Sequence, residues 1–593
     1  MISHFDKKAA CCGSVLAMAI ACMAPALAQD FERITPKAPV TTSPGTLATP
    51  ATPATPAVAK KLLLQDLKGL YLVGDAKLVV RTGVKDSGVV VGQGLPQLNN
   101  SEIRGKLAAF LGKPLNTDDL PRISQIIIDW YREHQLPVVD VVFPEQDISG
   151  GTVQAVVYTY RLGQVKVTGA NWFNSEVLRR EIRLDKGDLI DFSTLKNDLN
   201  LLNRNPFHTV NAVLESGAAP GETDVHLNVN DRFPLRVFAV YDNDGYQVTG
   251  RDQYSVGFNW GNVVGLDQQF SYRYITSPDL WRSRNRGAGH SDAPRMQVHS
   301  ADYWAARPWG DAIDVFGYYA KQVPNLGSYF DQIGQSLQMS VRYEKSLPMI
   351  GLLSHQIKFG FDYKRSDNNL AFGGTSIFAN ATNVQQFSLI YDGTRDDDYG
   401  ETAIENQFFY SPGGFSDGNR TSVYRASGVN GAKANYVYDN LQITRVTKLP
   451  WNMSSLVRLQ GQIASTELLP SEQIGAGGSE SVRGYDPRAA NGSQGFTARV
   501  EFRSPPYSPL RKIFGDVEDT GQVLAFYDAG FLSHVYHQTG GPKSATLQSA
   551  GVGLNYDVSR YFDLRFSYGW ALNKVPGAPY FKNLANISVT TSY

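Results

Sequence analysis

Gly495-Phe496-Thr497-Ala498-Arg499-Val500-Glu501-Phe502-Arg503 decides how the chain is read. Its period is two: Phe496, Ala498, Val500 and Phe502 fall on one side of an extended strand, and Thr497, Arg499, Glu501 and Arg503 on the other. A strand of a soluble sandwich also alternates, but it does not set Arg, Glu and Arg at successive inward positions, because ionised groups taken out of water are costly unless paired. A strand with lipid outside and a wet lumen inside accommodates both faces. The pattern recurs. Ile357, Phe359, Phe361 and Tyr363 alternate with Gln356, Lys358, Asp362 and Lys364, and Phe562, Leu564, Phe566, Tyr568 and Trp570 alternate with Asp563, Arg565 and Ser567. Such segments run from Leu235 to Tyr593 and number about sixteen, an even count as bacterial antiparallel barrels require.

The connections between these segments alternate in length as well. Those at Ser277 to Arg295, Val323 to Gln335, Arg365 to Asn383, Gly414 to Lys433, Thr466 to Ser493 and Ser533 to Gln548 read as long loops. Val263-Val264, Pro308 to Gly310 and Pro450-Trp451 read as short turns. Long loops face outward and short turns face the periplasm, so the connection after the eleventh segment, Thr466 to Ser493, is external. Ser504 to Thr520 is longer than a periplasmic turn is expected to be.

At 593 residues the chain has room for several domains. Its 56 basic and 56 acidic side chains cancel, so no whole-chain field draws it to a nucleic acid. Lys7 and Lys8 precede an apolar run from Ala9 to Ala26, and Ala26-Leu27-Ala28 before Gln29 has the form of a cleavage site; residues 1–28 read as a secretory signal peptide. Cys11, Cys12 and Cys22 all lie within it, so no disulfide or thiolate metal site is expected in the mature chain. No later stretch approaches the roughly 18 apolar residues of a membrane helix. No H-E-x-x-H, G-x-S-x-G or phosphate-loop motif occurs, and neither an enzyme, a cofactor nor a metal is expected. The carboxylates of Asp362 and Glu501 read as setting pore electrostatics rather than as an acid and base.

Residues 29–60 are rich in Pro, Ala and Thr, including three Ala-Thr-Pro repeats from Ala48 to Pro56, and read as an extended linker with no packing pattern. Only Gln29 to Thr35 precedes the Pro-rich run, too little for more than about two helical turns. From 61 to 160, Ile103, Leu107, Phe110 and Leu111 share a helix face behind a cap at Asn100 or Ser101. A second helix, capped by Thr117, carries Ile123, Ile126, Ile127, Trp130 and Tyr131 and stops at Pro137. Val138 to Phe143 and Thr152 to Tyr160 read as strands about Gly150-Gly151, and Leu67 to Val91 as β-rich without an identified partner. From 161 to 233 the order repeats: a strand at Gln164 to Thr168, helices near Ser175 to Ile182 and from Ser193, a stop at Asn205-Pro206, and strands at Val210 to Leu214 and Asp224 to Asn230. Strand, two helices, two strands, twice over, resembles a pair of polypeptide-transport-associated domains. The barrel would then occupy 234–593.

The external loop contains Ser481-Val482-Arg483-Gly484-Tyr485-Asp486-Pro487. Val482, Arg483, Gly484 and Tyr485 resemble the Val-Arg-Gly-Tyr motif of two-partner secretion transporters, the haemolysin and filamentous-haemagglutinin secretion and activation family within the outer-membrane assembly superfamily. On the thirteenth segment, Phe526, Asp528 and Gly530 are similar to the family's Phe-x-Asp-x-Gly pattern, and alternation turns Asp528 into the lumen. The resemblance implies two periplasmic α+β domains before a sixteen-stranded antiparallel barrel in the outer membrane, with Arg483 folded in to meet Asp528. It also implies an unfolded, large β-helical exoprotein of adhesin or haemolysin type, gathered in the periplasm by strand addition and exported to the surface. Outer-membrane lipid and the barrel-assembly machinery are the other implied partners, and the alternating end, closed by Tyr593, resembles that machinery's signal. An assembly insertase of the same superfamily shares the loop motif but carries more periplasmic domains, and a diffusion porin leaves both upstream domains without a role.

Overall fold

The computed structural model describes residues 47–48 and 60–593, apart from 135, 137–138, 220, 247–248, 282–293, 324–329, 373–374, 516, 577 and 579–580. The leader expected over 1–28, most of the linker expected over 29–60, and the helix stop at Pro137 lie outside the described residues. One compact unit ends at Phe233 and the barrel unit begins at Pro234.

The first unit holds two apolar cores. In the first domain, Asn100 accepts a hydrogen bond from the Glu102 amide and starts the helix Ser101–Ala108, which buries Ile103 and Leu107. The second helix, Asp119–Glu133, buries Ile123, Ile127, Trp130 and Tyr131. Its N-cap is Asp118, without a side-chain bond, and the Thr117 hydroxyl instead accepts from the Lys61 amide. The expected Thr117 cap is therefore corrected: a contact distant in sequence claims that oxygen. Both helices cover a sheet ordered Gly88–Val91, Gly69–Val73, Thr152–Thr159, Val139–Val142, in which Gly69–Val73 runs parallel to both of its neighbours. That placement supplies the partners missing from the sequence reading of Leu67 to Val91.

In the second domain, Asn174 and Asp191 cap the helices Ser175–Arg180 and Phe192–Leu202, each accepting from an amide two residues on. The chain then turns at Asn205-Pro206, and Asn203 is held by the Val210 amide and carbonyl at 2.7 and 2.9 Å. His208–Ser216 pairs with Glu222–Asp231, which pairs with Arg161–Thr168. The outer side of His208–Ser216 is taken by Leu47–Ala48, parallel and in register with Ala212 and Val213. The linker was expected to have no pattern that packs; two of its residues nevertheless add to a sheet edge, because backbone pairing asks nothing of side-chain pattern.

The barrel strands are β1 (Leu235–Asp242), β2 (Gln253–Val263), β3 (Gln268–Thr276), β4 (Met296–Ala306), β5 (Asp311–Gln322), β6 (Phe330–Ile350), β7 (Leu353–Phe372) and β8 (Thr375–Asp397). They continue as β9 (Gly400–Ser411), β10 (Tyr436–Lys448), β11 (Ser454–Ala464), β12 (Gln494–Arg503), β13 (Asp519–Ser533), β14 (Ser544–Val558), β15 (Phe562–Ala571) and β16 (Asn583–Ser592). Each pairs with the next, antiparallel, and β16 closes on β1 through the register Phe238 with Ser592 to Asp242 with Ser588. Closure removes every edge, which lets β-structure cross lipid. On β12, Phe496 and Phe502 are exposed while Thr497 and Glu501 are buried; on β13, Val523 and Tyr527 face out while Phe526 and Asp528 face in.

Two expected loops are strand over part of their length. Arg365 to Asn383 is a ladder in which β7 and β8 pair from Arg365 with Asn383 to Phe372 with Thr375, and β6 already begins at Phe330. The polar run Ser366 to Asn369 sits within a hairpin whose ladder continues past it, so backbone pairing extends where apolar alternation lapses. Ser504 to Thr520 exceeds a tight turn because it contains the short helix Pro509–Phe514.

Candidate functional site

The connection from β11 to β12 turns back into the barrel, and the four residues of its motif have separate jobs. Val482 is fully buried in an apolar cluster with Ile474, Ala476, Leu532 and Leu547. Gly484 has φ +89° and sits against β15: a Cβ there would stand 3.1 Å from the Gly569 carbonyl carbon and oxygen, so any side chain would be both strained and crowded. The Tyr485 hydroxyl reaches the carbonyl oxygens of Gln548 and Asn573, each at 2.8 Å. Together these three residues press the loop against β13, β14 and β15 and leave Arg483 one direction to point.

Arg483 is 3 % exposed and Asp528 0 %. The guanidinium forks onto the carboxylate, Nε to Oδ2 at 2.7 Å and Nη2 to Oδ1 at 2.8 Å, while the Arg483 amide donates to the same Oδ2 at 3.1 Å. Its remaining Nη1 donates to Glu501 at 2.7 Å. The Phe526 ring lies beneath, its centroid 3.5 Å from the guanidinium carbon. Gly530 leaves room for the loop, since a Cβ there would stand 3.2 Å from Ala476 and 3.3 Å from Val482. Arg483 and Val482 thus meet the second motif at Asp528, Phe526 and Gly530, while Gly484 and Tyr485 meet β15 and its neighbours.

Sequence reading missed Glu501 and Gly569. Glu501 had been assigned only to pore electrostatics; it also accepts from Arg499 at 3.0 Å and from Arg503 at 2.7 Å, so it joins three arginines. Alternation had turned it inward, the one signal available. The loop tip is tied elsewhere: Ser479 donates its hydroxyl to Asp244 at 2.6 Å, Asn586 on β16 donates to Asp244 at 3.2 Å, and Arg251 pairs with Asp486 at 2.6 Å. Burial pushes the Asp244 carboxyl up to about 6, with the Ser479 donors acting the other way. Tyr593 stands apart, 86 % exposed beyond β16, with its backbone bonded in both directions to Val237.

This arrangement ties a loop to the inner wall of the barrel. Residues 221–556, more than half of the chain, match the family of haemolysin secretion/activation proteins ShlB/FhaC/HecB. The chain belongs to this family. Ahead of the transporter's barrel, residues 88–159 match the ShlB-type polypeptide-transport-associated (POTRA) domain and residues 160–232 match the POTRA family described as surface antigen variable number repeat. The transporter is 22 % identical over 471 residues to the outer membrane transporter CdiB of Dickeya dadantii (strain 3937), covering 79 % of each chain. It is 21 % identical over 473 residues to the heme/hemopexin transporter protein HuxB of Haemophilus influenzae (strain 86-028NP), covering 78 % of this chain and 79 % of that one. Its fold matches that of CdiB from Escherichia coli with a TM-score of 0.75 at 18 % identity, over 92 % of this chain and 93 % of that one. CdiB from Acinetobacter baumannii matches with a TM-score of 0.65 at 16 % identity, over 93 and 95 %. The protein is an outer-membrane two-partner secretion transporter with periplasmic POTRA domains, and its family serves a secreted exoprotein.

Proposed function

We propose that Arg483, Asp528 and Glu501 form the lock that holds the β11–β12 loop inside the barrel, and that this lock keeps the transporter competent for export. The observation that carries this reading is the fork of a buried arginine onto a buried aspartate, 45 residues apart in the chain and on different hairpins. Breaking such a pair leaves an uncompensated buried charge, a cost on the order of 3–5 kcal/mol. Loss of either partner therefore unfastens this arm of the loop from the β12–β13 wall and misplaces the motif.

The cargo in this reading is a large β-helical exoprotein of adhesin or haemolysin type, unfolded in the periplasm. The POTRA domains, taken as 61–160 and 161–233 after a leader over 1–28 and a linker over 29–60, collect it by strand addition. That the edge strand His208–Ser216 already accepts an extended segment, Leu47–Ala48, supports this route. The barrel-assembly machinery reads the strand ending at Tyr593. The test of the lock is exported partner per assembled barrel in wild type, Arg483→Ala, Asp528→Ala and the double variant. Each single change is expected to lower export about tenfold or more and the double to cost no more than either, because the second removal breaks nothing further. Additive losses would separate the two charges, and normal export by both single variants would refute the lock.

A further inference from the structure

The same loop makes a second buried ionic contact on a different part of the wall. Glu472, in the turn Pro470–Glu472, is 0 % exposed. Lys364 on β7 donates to its two carboxylate oxygens at 2.7 and 3.0 Å, Gln386 on β8 at 2.9 Å, and the Tyr438 hydroxyl on β10 at 2.7 Å. Gln386 also donates to Asp362 at 3.1 Å, and Asp362 accepts from Arg342 on β6 at 2.6 Å. Two carboxylates and two cations thus close one network across β6, β7, β8 and β10, and it includes none of the Arg483 partners described above.

Geometry makes the two contacts complementary. In a ring of sixteen strands β7 and β13 lie six places apart, close to the eight of a diameter. The loop hangs from β11 and β12; Ile474 and Ala476 pack with Val482 against Leu532 and Leu547, so the loop passes from the β7, β8 and β10 contacts of Glu472 to the β13–β14 side within a few residues. A buried ion pair is poor evidence of added stability, and its better attested use is to specify one arrangement among several. Here the arrangement specified is where the first arm of the loop lies.

We propose that Glu472 is a second positioning anchor for the loop, breakable separately from Arg483, so that the loop is a strap fastened at both walls and either fastening alone keeps it in the lumen. The proposal rests on the lock assigned to Arg483 and extends it. Release of the pore then requires both contacts to open, and the Arg483 variants alone understate how far the loop can move.

The experiment is planar-bilayer conductance of the full-length transporter, which needs no exported partner and so reports on the strap independently of export. Wild type, Glu472→Gln, Arg483→Ala and the double variant are compared after heat-modifiable gel mobility has confirmed folded barrels. Each single change is expected to raise mean conductance by no more than about threefold, and the double change by about tenfold or more beyond the product of the two. A double variant equal to that product would overturn the strap, as would a Glu472→Gln change without effect in both backgrounds. Conductance of Arg483→Ala alone bears on the lock, whereas the effect of Glu472→Gln within that background bears on the second anchor. Lys364→Met with Glu472→Met removes both charges; a return to wild-type conductance would mean that only an unpaired charge mattered and would also overturn the proposal. Should Glu472→Gln fail to fold, Tyr438→Phe removes one donor and leaves the charges paired. In the Arg483→Ala background it is expected to raise conductance about twofold, and no change there would count against the anchor.

Discussion

Asp198 in the second POTRA domain and Asp528 in the barrel are both sealed from solvent, and each takes an arginine Nε at 2.7 Å. Their surroundings differ. Asp198 lies on the helix Phe192–Leu202 and meets Arg183, 15 residues earlier, whose side chain keeps 30 % exposure. Asp528 meets an arginine from another hairpin whose side chain is 4 % exposed, shares it with Glu501, and has the Phe526 ring beneath that arginine. One arginine half in water does not offset the cost of burying Asp198: burial pushes its carboxyl up to about 6, against the hydrogen bonds and charge of Arg183. The same pair of residue types is thus a local tie tolerated by a soluble domain in one place, and the joint between two distant segments in the other.

The sharpest way to break this comparison is to exchange the barrel pair, Arg483→Asp with Asp528→Arg. If the two charges act alone, export returns. The structure implies otherwise, because the new carboxylate at position 483 would face Glu501 and the new guanidinium at position 528 would lie across from Arg499, its register partner on β12. Export per assembled barrel is expected to stay below about a tenth of wild type, since like charges buried together cost several kcal/mol; recovery to half or more would reduce Glu501 and Arg499 to bystanders.

A smaller effect is expected at Asp198. Its folded value of about 6 lies above the ordinary 3.8, so the native state holds the proton more tightly than the unfolded chain. Its contribution is most favourable below pH about 4, falls as pH rises to about 6, and is constant above, a change on the order of 3 kcal/mol. The two POTRA domains have apolar cores of their own, so urea unfolding of residues 60–233, wild type minus Asp198→Asn, measures this at pH about 4 and about 7. A pH-independent difference would mean that Arg183 compensates the charge fully.

Smallest of all should be Glu176→Ala, which removes an ion pair with Arg179 and Arg180 on an exposed helix. Exposed pairs contribute little because water and salt screen them, and a loss as large as that at Asp198 in the same unfolding assay would show that burial is not what separates these pairs.

The sequence by itself determined the barrel, the inward face of Asp528 and the order of elements in both POTRA domains. These follow from periods of two and 3.6 residues, which record which side of each segment meets lipid, lumen or core. It misjudged what such periods do not record. The β7–β8 hairpin continues beyond Arg365 through the polar run Ser366 to Asn369, which carries no apolar alternation, so it read as a loop. Gly69–Val73 runs parallel to partners far along the chain, and Thr117 gave its oxygen to Lys61 rather than to a helix end. Only the tertiary structure decided which lumenal charges the folded loop meets: Glu501 beside Asp528 for Arg483, and Lys364 for Glu472. Alternation along a strand turns a charged residue toward the lumen, but its partner there depends on barrel closure and loop path, which no local pattern encodes.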